Sequence, residues 1–421
     1  MKRSSRIAIF FYVLIVLAYV IMSINKFGIE LIHPNMRNQP AEWTYELHSF
    51  ASSHFESSGL PILFRGNSQR HGVAQFPVSK SGVLEEVIPE LNVGVHTAAK
   101  SSPMSNGETL FVGTDSGWFY AIDEKTEKIL WRVFAPSALR GFHSNAVIQG
   151  NHVWIGDYYG RLYCFETRTG ILVWMRQLGK TIGASPLLVG DDLYINVEVM
   201  PENGFMVKLK SQTGEKLWQS APWGQQSHSS PSLSSDQKSI FVGSNNSKLF
   251  SVSTETGRIQ WQAPLDAKMK GSPLVWNDKI YLVTQAGSIK VFMAQTGELV
   301  SSEVGNAESL SSPTLDAKQG IIYFTDVNKI LRLDTKKFIY RSLNLGNKLS
   351  YSSPIFVGPP SNQLLAVCED TKLCEVSLDL KSRRILFDTK HRISSTPYLA
   401  KSEVWLSTDN GPLMVFKEHK K

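Results

Sequence analysis

From Ser101 onward the chain alternates short apolar runs with Gly, Asn, Asp and Ser breaks, and within the runs polar and apolar residues tend to alternate at period two. That period places successive side chains on opposite faces of a strand, so the pattern predicts many short strands joined by tight turns. The stretch from Ser229 shows the order well. Ser229-Ser230-Pro231 leads into a strand, Ile240-Phe241-Val242-Gly243 forms a second, and Asn245-Asn246 turns into Leu249 to Val252. Thr256-Gly257 then turns into a last strand ended by Trp261.

This order recurs. Thr169-Gly170 to Trp174, Thr213-Gly214 to Trp218 and Thr256-Gly257 to Trp261 read T-G-x-x-x-W, and Thr126-Glu127 to Trp131 is a near copy. Weaker copies end at Ser301, Tyr340 and Phe387, so the terminal positions are spaced 39 to 47 residues apart. Four short strands per period with turn residues at each junction describe a propeller blade, whereas helical repeats of this length lack the period-two alternation. Blade starts are counted at Pro103, Asn145 (standing in place of Pro), Pro186, Pro231, Pro273, Pro313, Pro354 and Pro397. The expected fold is therefore all-β, an eight-bladed propeller, with seven blades as the fallback. Only seven starts are followed by a full fourth strand, so Val83 to Leu91 is expected to supply the eighth and seal the ring with both chain ends. That arrangement removes free sheet edges. Trp131, Trp174, Trp218 and Trp261 are read as structural wedges between blades rather than as a carbohydrate platform, because they recur with the period.

The N-terminus breaks the pattern. Lys2, Arg3 and Arg6 precede an uninterrupted apolar run from Ile7 to Met22, continued by Ser23 and Ile24, 18 residues in all. This is just long enough to cross a hydrocarbon core of roughly 30 Å as a helix. A cleaved signal peptide is the alternative, but no Ala-x-Ala follows the run. Basic residues ahead of the segment hold that end in the cytoplasm and place the bulk of the chain outside, where disulfides are permitted. The resulting division is a basic tail at 1–6, an anchor at 7–24, a stalk at 25–60 and the propeller at 61–421. In the stalk, Trp43, Leu47 and Phe50 share one face of a short helix.

Composition changes this picture little. With 44 Lys and Arg against 37 Asp and Glu, the net charge of +7 is too small and dispersed to argue for nucleic-acid binding. Its distribution says more. The loops joining each outer strand to the next blade start carry eleven Lys and Arg against four Asp and Glu. An electropositive rim is expected, with Arg140, Lys180, Lys268, Lys270, Lys348 and Arg392 among its cations and Trp223, between Pro222 and Gly224, as an exposed aromatic contact. His143 and His228 lie beside blade starts, near where the channel opens; they are read as loop residues with a possible part in binding. No metal site and no catalytic residue is assigned: neither a Ser/His/Asp set nor a zinc or phosphate-loop motif occurs. Of the three cysteines, Cys368 and Cys374 flank a five-residue hairpin turn, so either a bridge or two buried thiols is open; Cys164 is read as a free core residue.

The repeats resemble those of the quinoprotein-type (PQQ-like repeat) propeller superfamily, A-x-D-x-x-T-G-x-x-x-W, most closely at Ala121-Ile122-Asp123 to Trp131. Phe64-Arg65-Gly66 to Gly72 is similar to the F-R-G-x-x-x-x-x-G stretch that often precedes such propellers. The resemblance implies one of two classes. Alcohol or sugar dehydrogenases of the superfamily carry pyrroloquinoline quinone with a calcium ion, often beside adjacent cysteines; non-catalytic members include the scaffold lipoprotein of the outer-membrane barrel assembly machine. This chain has no adjacent cysteines, and its blade starts are Ser, Thr, Gly and Pro rather than an acidic and Asn cluster. A calcium site needs six to eight oxygens, several of them anionic. The expectation is a non-catalytic, membrane-anchored periplasmic scaffold of the bacterial inner membrane with a protein partner in the cell envelope and no cofactor. The alternatives are a quinone-dependent dehydrogenase and a module that binds anionic glycans.

Overall fold

A computed structural model describes residues 60–93, 98–135, 141–199, 203–346, 352–400 and 403–418; the apolar run at 7–24, the Trp43 stripe, Arg140 and Lys348 lie outside them. Among the described residues every regular element is a strand, and no helix is long and apolar enough to cross a membrane. Eight sheets follow one another along the chain. Blade 1 contains Met104–Ser105, Thr109–Gly113, Trp118–Asp123 and Ile129–Phe134, and blades 2 to 6 repeat that antiparallel order through Ile339–Asn344. Blade 7 runs from Ile355–Val357 to Arg383–Asp388 and carries a fifth, parallel strand, Val73–Ala74, on its innermost edge. In the last sheet Gly82–Ile88 lies antiparallel to Leu413–Glu418, so its outermost strand comes from ahead of blade 1.

The blades pack through the residues that end their outer strands. Each indole nitrogen donates to a backbone carbonyl of the following blade: Trp131 to Thr167, Trp174 to Ser211, Trp218 to Thr254 and Trp261 to Ala294, at 2.9 to 3.1 Å. The ring lies flat on the next turn. A Cβ added to Gly170, Gly214, Gly257 or Gly297 would stand 2.5 to 2.8 Å from the preceding blade's Trp. All four glycines have φ between 65° and 71°. Glycine is thus required twice over, for a left-handed turn and for the indole that covers it.

Where the wedge changes, the turn changes. Ser301 replaces Trp in blade 5, and the following turn is Thr335-Lys336; Tyr340 ends blade 6, and the following turn contains no Gly. The outer strand that precedes blade 1 in the ring, Gly82–Ile88, contains no Trp, and Glu127 occupies the Gly position with φ 58°. Its carboxylate pairs with Lys417 of blade 8, which also reaches Glu85 of the outermost strand at 2.7 Å.

Two expectations are corrected by the packing. Trp223 is not an exposed aromatic: it is 4% exposed and stacks on Phe250 with ring centroids 5.4 Å apart, because the gap between blades 3 and 4 accepts a large ring. Asn145 takes the place of the Ser that precedes Pro in other blades, and Ala146 takes the place of Pro. The two readings left open for Cys368 and Cys374 resolve to a disulfide across neighbouring strands, with Cα atoms 6.1 Å apart, within normal bridging range. Cys164 is free and buried in the core, which pushes its thiol well above the usual range.

Candidate functional site: the mouth of the central channel

One residue per blade builds the site. The innermost strands are entered through Ser102, Asn145, Ser185, Ser230, Ser272, Ser312, Ser353 and Thr396, and all but Asn145 precede a proline. Their backbone N–H groups donate to the side-chain oxygen of the next blade's equivalent. Asn145 donates to Ser185 (3.0 Å), Ser185 to Ser230 (2.9 Å), Ser272 to Ser312 (2.9 Å), Ser312 to Ser353 (2.9 Å) and Ser353 to Thr396 (3.3 Å). Thr396 then donates to Ser102 (2.9 Å), and Ser102 to Asn145 Oδ1. Seven of the eight junctions among the described residues are joined this way. The following proline has no N–H to place, so only its carbonyl needs a partner.

Those carbonyls face down the channel, where residues 62–74 lie across it. Ile62 bridges Ile148 of blade 2, and Leu233, Val275 and Leu315 of blades 4, 5 and 6 donate to the carbonyls of Ser68, Gln69 and His71 at 2.9 to 3.0 Å. Arg70 is fully buried and donates to the carbonyls of Pro231 (2.9 Å), Pro186 (3.1 Å) and Phe64 (2.5 Å). Arg65 reaches those of Pro313 (2.5 Å) and Pro354 (2.9 Å). Burial brings both guanidinium groups down to about 9, Arg65 with a further contribution from Arg70, and both stay charged at neutral pH. Gly72 has no side chain because the Arg65 guanidinium lies 2.0 Å from where its Cβ would be. The F-R-G-x-x-x-x-x-G stretch is therefore a plug whose arginines are spokes to four blades.

Above the plug, with Phe64 on its floor, is a cavity of about 320 Å³ lined by all eight crown residues, from Ser102 to Thr396, and by Lys100, His143, Tyr158, His228 and Lys270. His143, Tyr158 and His228 form a wall, with ring centroids 4.0 and 6.1 Å apart. Each imidazole is backed by an acid: His143 Nε2 meets Asp115, and His228 Nδ1 lies 3.5 Å from Glu198. Burial raises Glu198 to about 7. Burial lowers Lys270, the charges of Lys100 and Lys268 lower it further, and the carboxylates of Glu308 and Glu198 act the other way.

The sequence candidates therefore separate. His143, His228 and Lys270 line the mouth. Lys180 and Lys268 are exposed outside it, and Arg392 turns to Asp409 at 2.9 Å. Sequence reasoning counted Lys100 only among the charges of the rim loops, and it missed the hydroxyl crown and both plug arginines. The Ser before each blade-start Pro was the available signal, since it recurs once per blade.

Fold and mouth together define a PQQ-like repeat β-propeller. Residues 115–337 match the family model described as outer membrane protein assembly factor BamB, and the chain belongs to that family. Relatives carrying that name include those of Moranella endobia (23% identical over 282 residues, 60% of this chain and 69% of the relative) and Legionella pneumophila (25% over 192 residues, 44% and 49%). A third, from Burkholderia pseudomallei, is 30% identical over 128 residues, 30% of this chain and 32% of the relative. The chain thus matches half or less of the length of the latter two. Among solved structures, BamB from Moraxella catarrhalis superposes with a TM-score of 0.62 at 17% identity, covering 80% of this chain and all of that one. A europium-containing methanol dehydrogenase gives 0.65 at 11% identity, covering 82% and 89%, and a quinohemoprotein alcohol dehydrogenase from Comamonas testosteroni gives 0.67 at 10%, covering 84% and 79%. At these identities the likeness shows the fold alone.

Proposed function

We propose that this protein is a non-catalytic assembly scaffold of the bacterial cell envelope, which presents the channel-mouth face of a rigid propeller to a protein partner. Membership in a family named for outer membrane protein assembly supports the reading. The observation that carries it is the donor set of the mouth: hydroxyls, imidazoles and amines line the cavity, and among the described residues no carboxylate does. Calcium takes several anionic oxygens. The residues present therefore do not fit the calcium that accompanies the quinone of the dehydrogenases. Anchoring through 7–24 would hold the propeller on the periplasmic side of the inner membrane, consistent with the basic residues ahead of that run. The pairing of Gly82–Ile88 with Leu413–Glu418 supports a ring closed by both ends of the domain, as rigid presentation requires.

The test is crosslinking of the full-length protein in its own membrane, with a photoreactive residue at Lys268 or Lys180 on the mouth side and at Leu299 on an outer strand. One envelope protein captured from the mouth positions at near-stoichiometric yield is the expected result. Capture from Leu299 alone would move the contact to the propeller wall and overturn the reading.

A further inference from the structure

The crown has a second property beyond joining the blades. Ser102, Ser185, Ser230, Ser312, Ser353 and Thr396 each accept a backbone N–H on the hydroxyl oxygen. The five serines are at least nine-tenths buried, and all six residues line the cavity. A hydroxyl offers one proton as donor beside its acceptor lone pairs. Among the described residues none of these six protons is given to a protein acceptor, so the crown leaves a circle of O–H donors around the cavity. The ionisable groups beside them are Lys100, Lys270, His143 and His228. The nearby acids are not part of this lining: Asp115 pairs with His143, Glu198 lies 3.5 Å from His228 Nδ1 without a hydrogen bond, and Glu308 accepts from Gln285 at 2.7 Å, while Glu198 and Glu308 both lie within electrostatic reach of Lys270. Donors and positive charge converge on a blind cavity, because the plug fills the channel beneath it.

We infer that the channel mouth is a carboxylate-binding site, which takes an acidic side chain of a bound peptide segment. This deepens the scaffold reading and rests on it. A carboxylate accepts about four hydrogen bonds, so the two amines and a pair of the hydroxyls beside them suffice for one, and charge-assisted hydrogen bonds of that kind are about twice as strong as neutral ones. The wall of His143, Tyr158 and His228 gives the neighbouring methylene groups and an adjacent side chain a flat surface to pack on. A cavity of about 320 Å³ exceeds the needs of a lone inorganic anion and suits a side chain carried by backbone.

The experiment titrates full-length protein in detergent with a fluorescein-labelled peptide Gly-Ser-Glu-Phe-Ser-Gly and with its Gln counterpart. The Glu peptide should bind at least tenfold more tightly, and raising salt should narrow the gap. Lys270→Ala and Lys100→Ala should each weaken the Glu peptide about fivefold or more with an unchanged unfolding midpoint, while Arg392→Ala should leave it unchanged. Equal affinity for the two peptides, or indifference to both lysine substitutions, would overturn the site. Tighter binding of tetragalacturonate than of the Glu peptide would overturn the peptide assignment in favour of an acidic glycan. Crosslinking run in parallel separates the two readings. Partner capture that persists without Glu/Gln discrimination sinks the site and leaves the scaffold; discrimination without partner capture does the reverse.

Discussion

The two ends of the channel hold the same kind of charge for different purposes. Arg65 and Arg70 lie below the crown, buried, with their guanidinium groups on proline carbonyls of blades 3, 4, 6 and 7. Lys100 and Lys270 lie above it, at the edge of an aqueous cavity. The Ser-Pro step divides them: the serine hydroxyl faces up, and the proline carbonyl faces down. A cation's role here follows from which side of that step it meets. The lower pair should govern stability and the upper pair binding.

The sharpest way to break this contrast is Arg70→Ala. It removes three hydrogen bonds from a charged donor, strands buried carbonyls and opens a cavity, at a cost of about 4 kcal/mol. Urea denaturation measures it, and a loss under 1 kcal/mol would mean that the plug is dispensable. Next comes Glu198, at the border of the two zones near His228 and Lys270. Its folded-state value of about 7 lies above the ordinary 4.5, so the folded protein holds this proton more tightly. The associated stability is full below pH 4.5 and is lost as pH rises through 7, amounting to about 3 kcal/mol. Glu198→Gln should flatten that slope and make the protein more stable than wild type at pH 8; an unchanged slope would assign the titration elsewhere. Ser312→Ala should cost about 2 kcal/mol, because the buried Ser272 N–H loses its acceptor. Smallest of all, Lys270→Ala should change stability by less than about 0.5 kcal/mol, and a larger loss would make the upper cations structural as well.

The propeller was legible because T-G-x-x-x-W marks a physical contact, in which an indole needs both a partner carbonyl and a bare Gly. The mouth was legible only in part. His143, His228 and Lys270 stood out as chemical side chains beside blade starts, whereas the crown serines read as turn punctuation. Arg65 and Arg70 were hidden in a stretch known only by likeness, and no local pattern says that a segment ahead of the blades will lie across their centre. Trp223 misled for a related reason: Pro222 and Gly224 describe its backbone, and burial is decided by the space between two blades.

The indole-on-glycine contact also defines what can be inherited as a unit. Each Trp belongs to one sheet and its bare Gly to the next, so a duplicated or transplanted blade, cut at the sheet boundary, would arrive with a ring facing the wrong turn. Trp261 set against Thr126-Glu127 would meet a side chain where it needs a void. A recombination point inside a blade, between its Gly turn and its terminal Trp, avoids splitting either pair. Blade number in such a chain can therefore change most easily by exchange of segments that straddle two sheets.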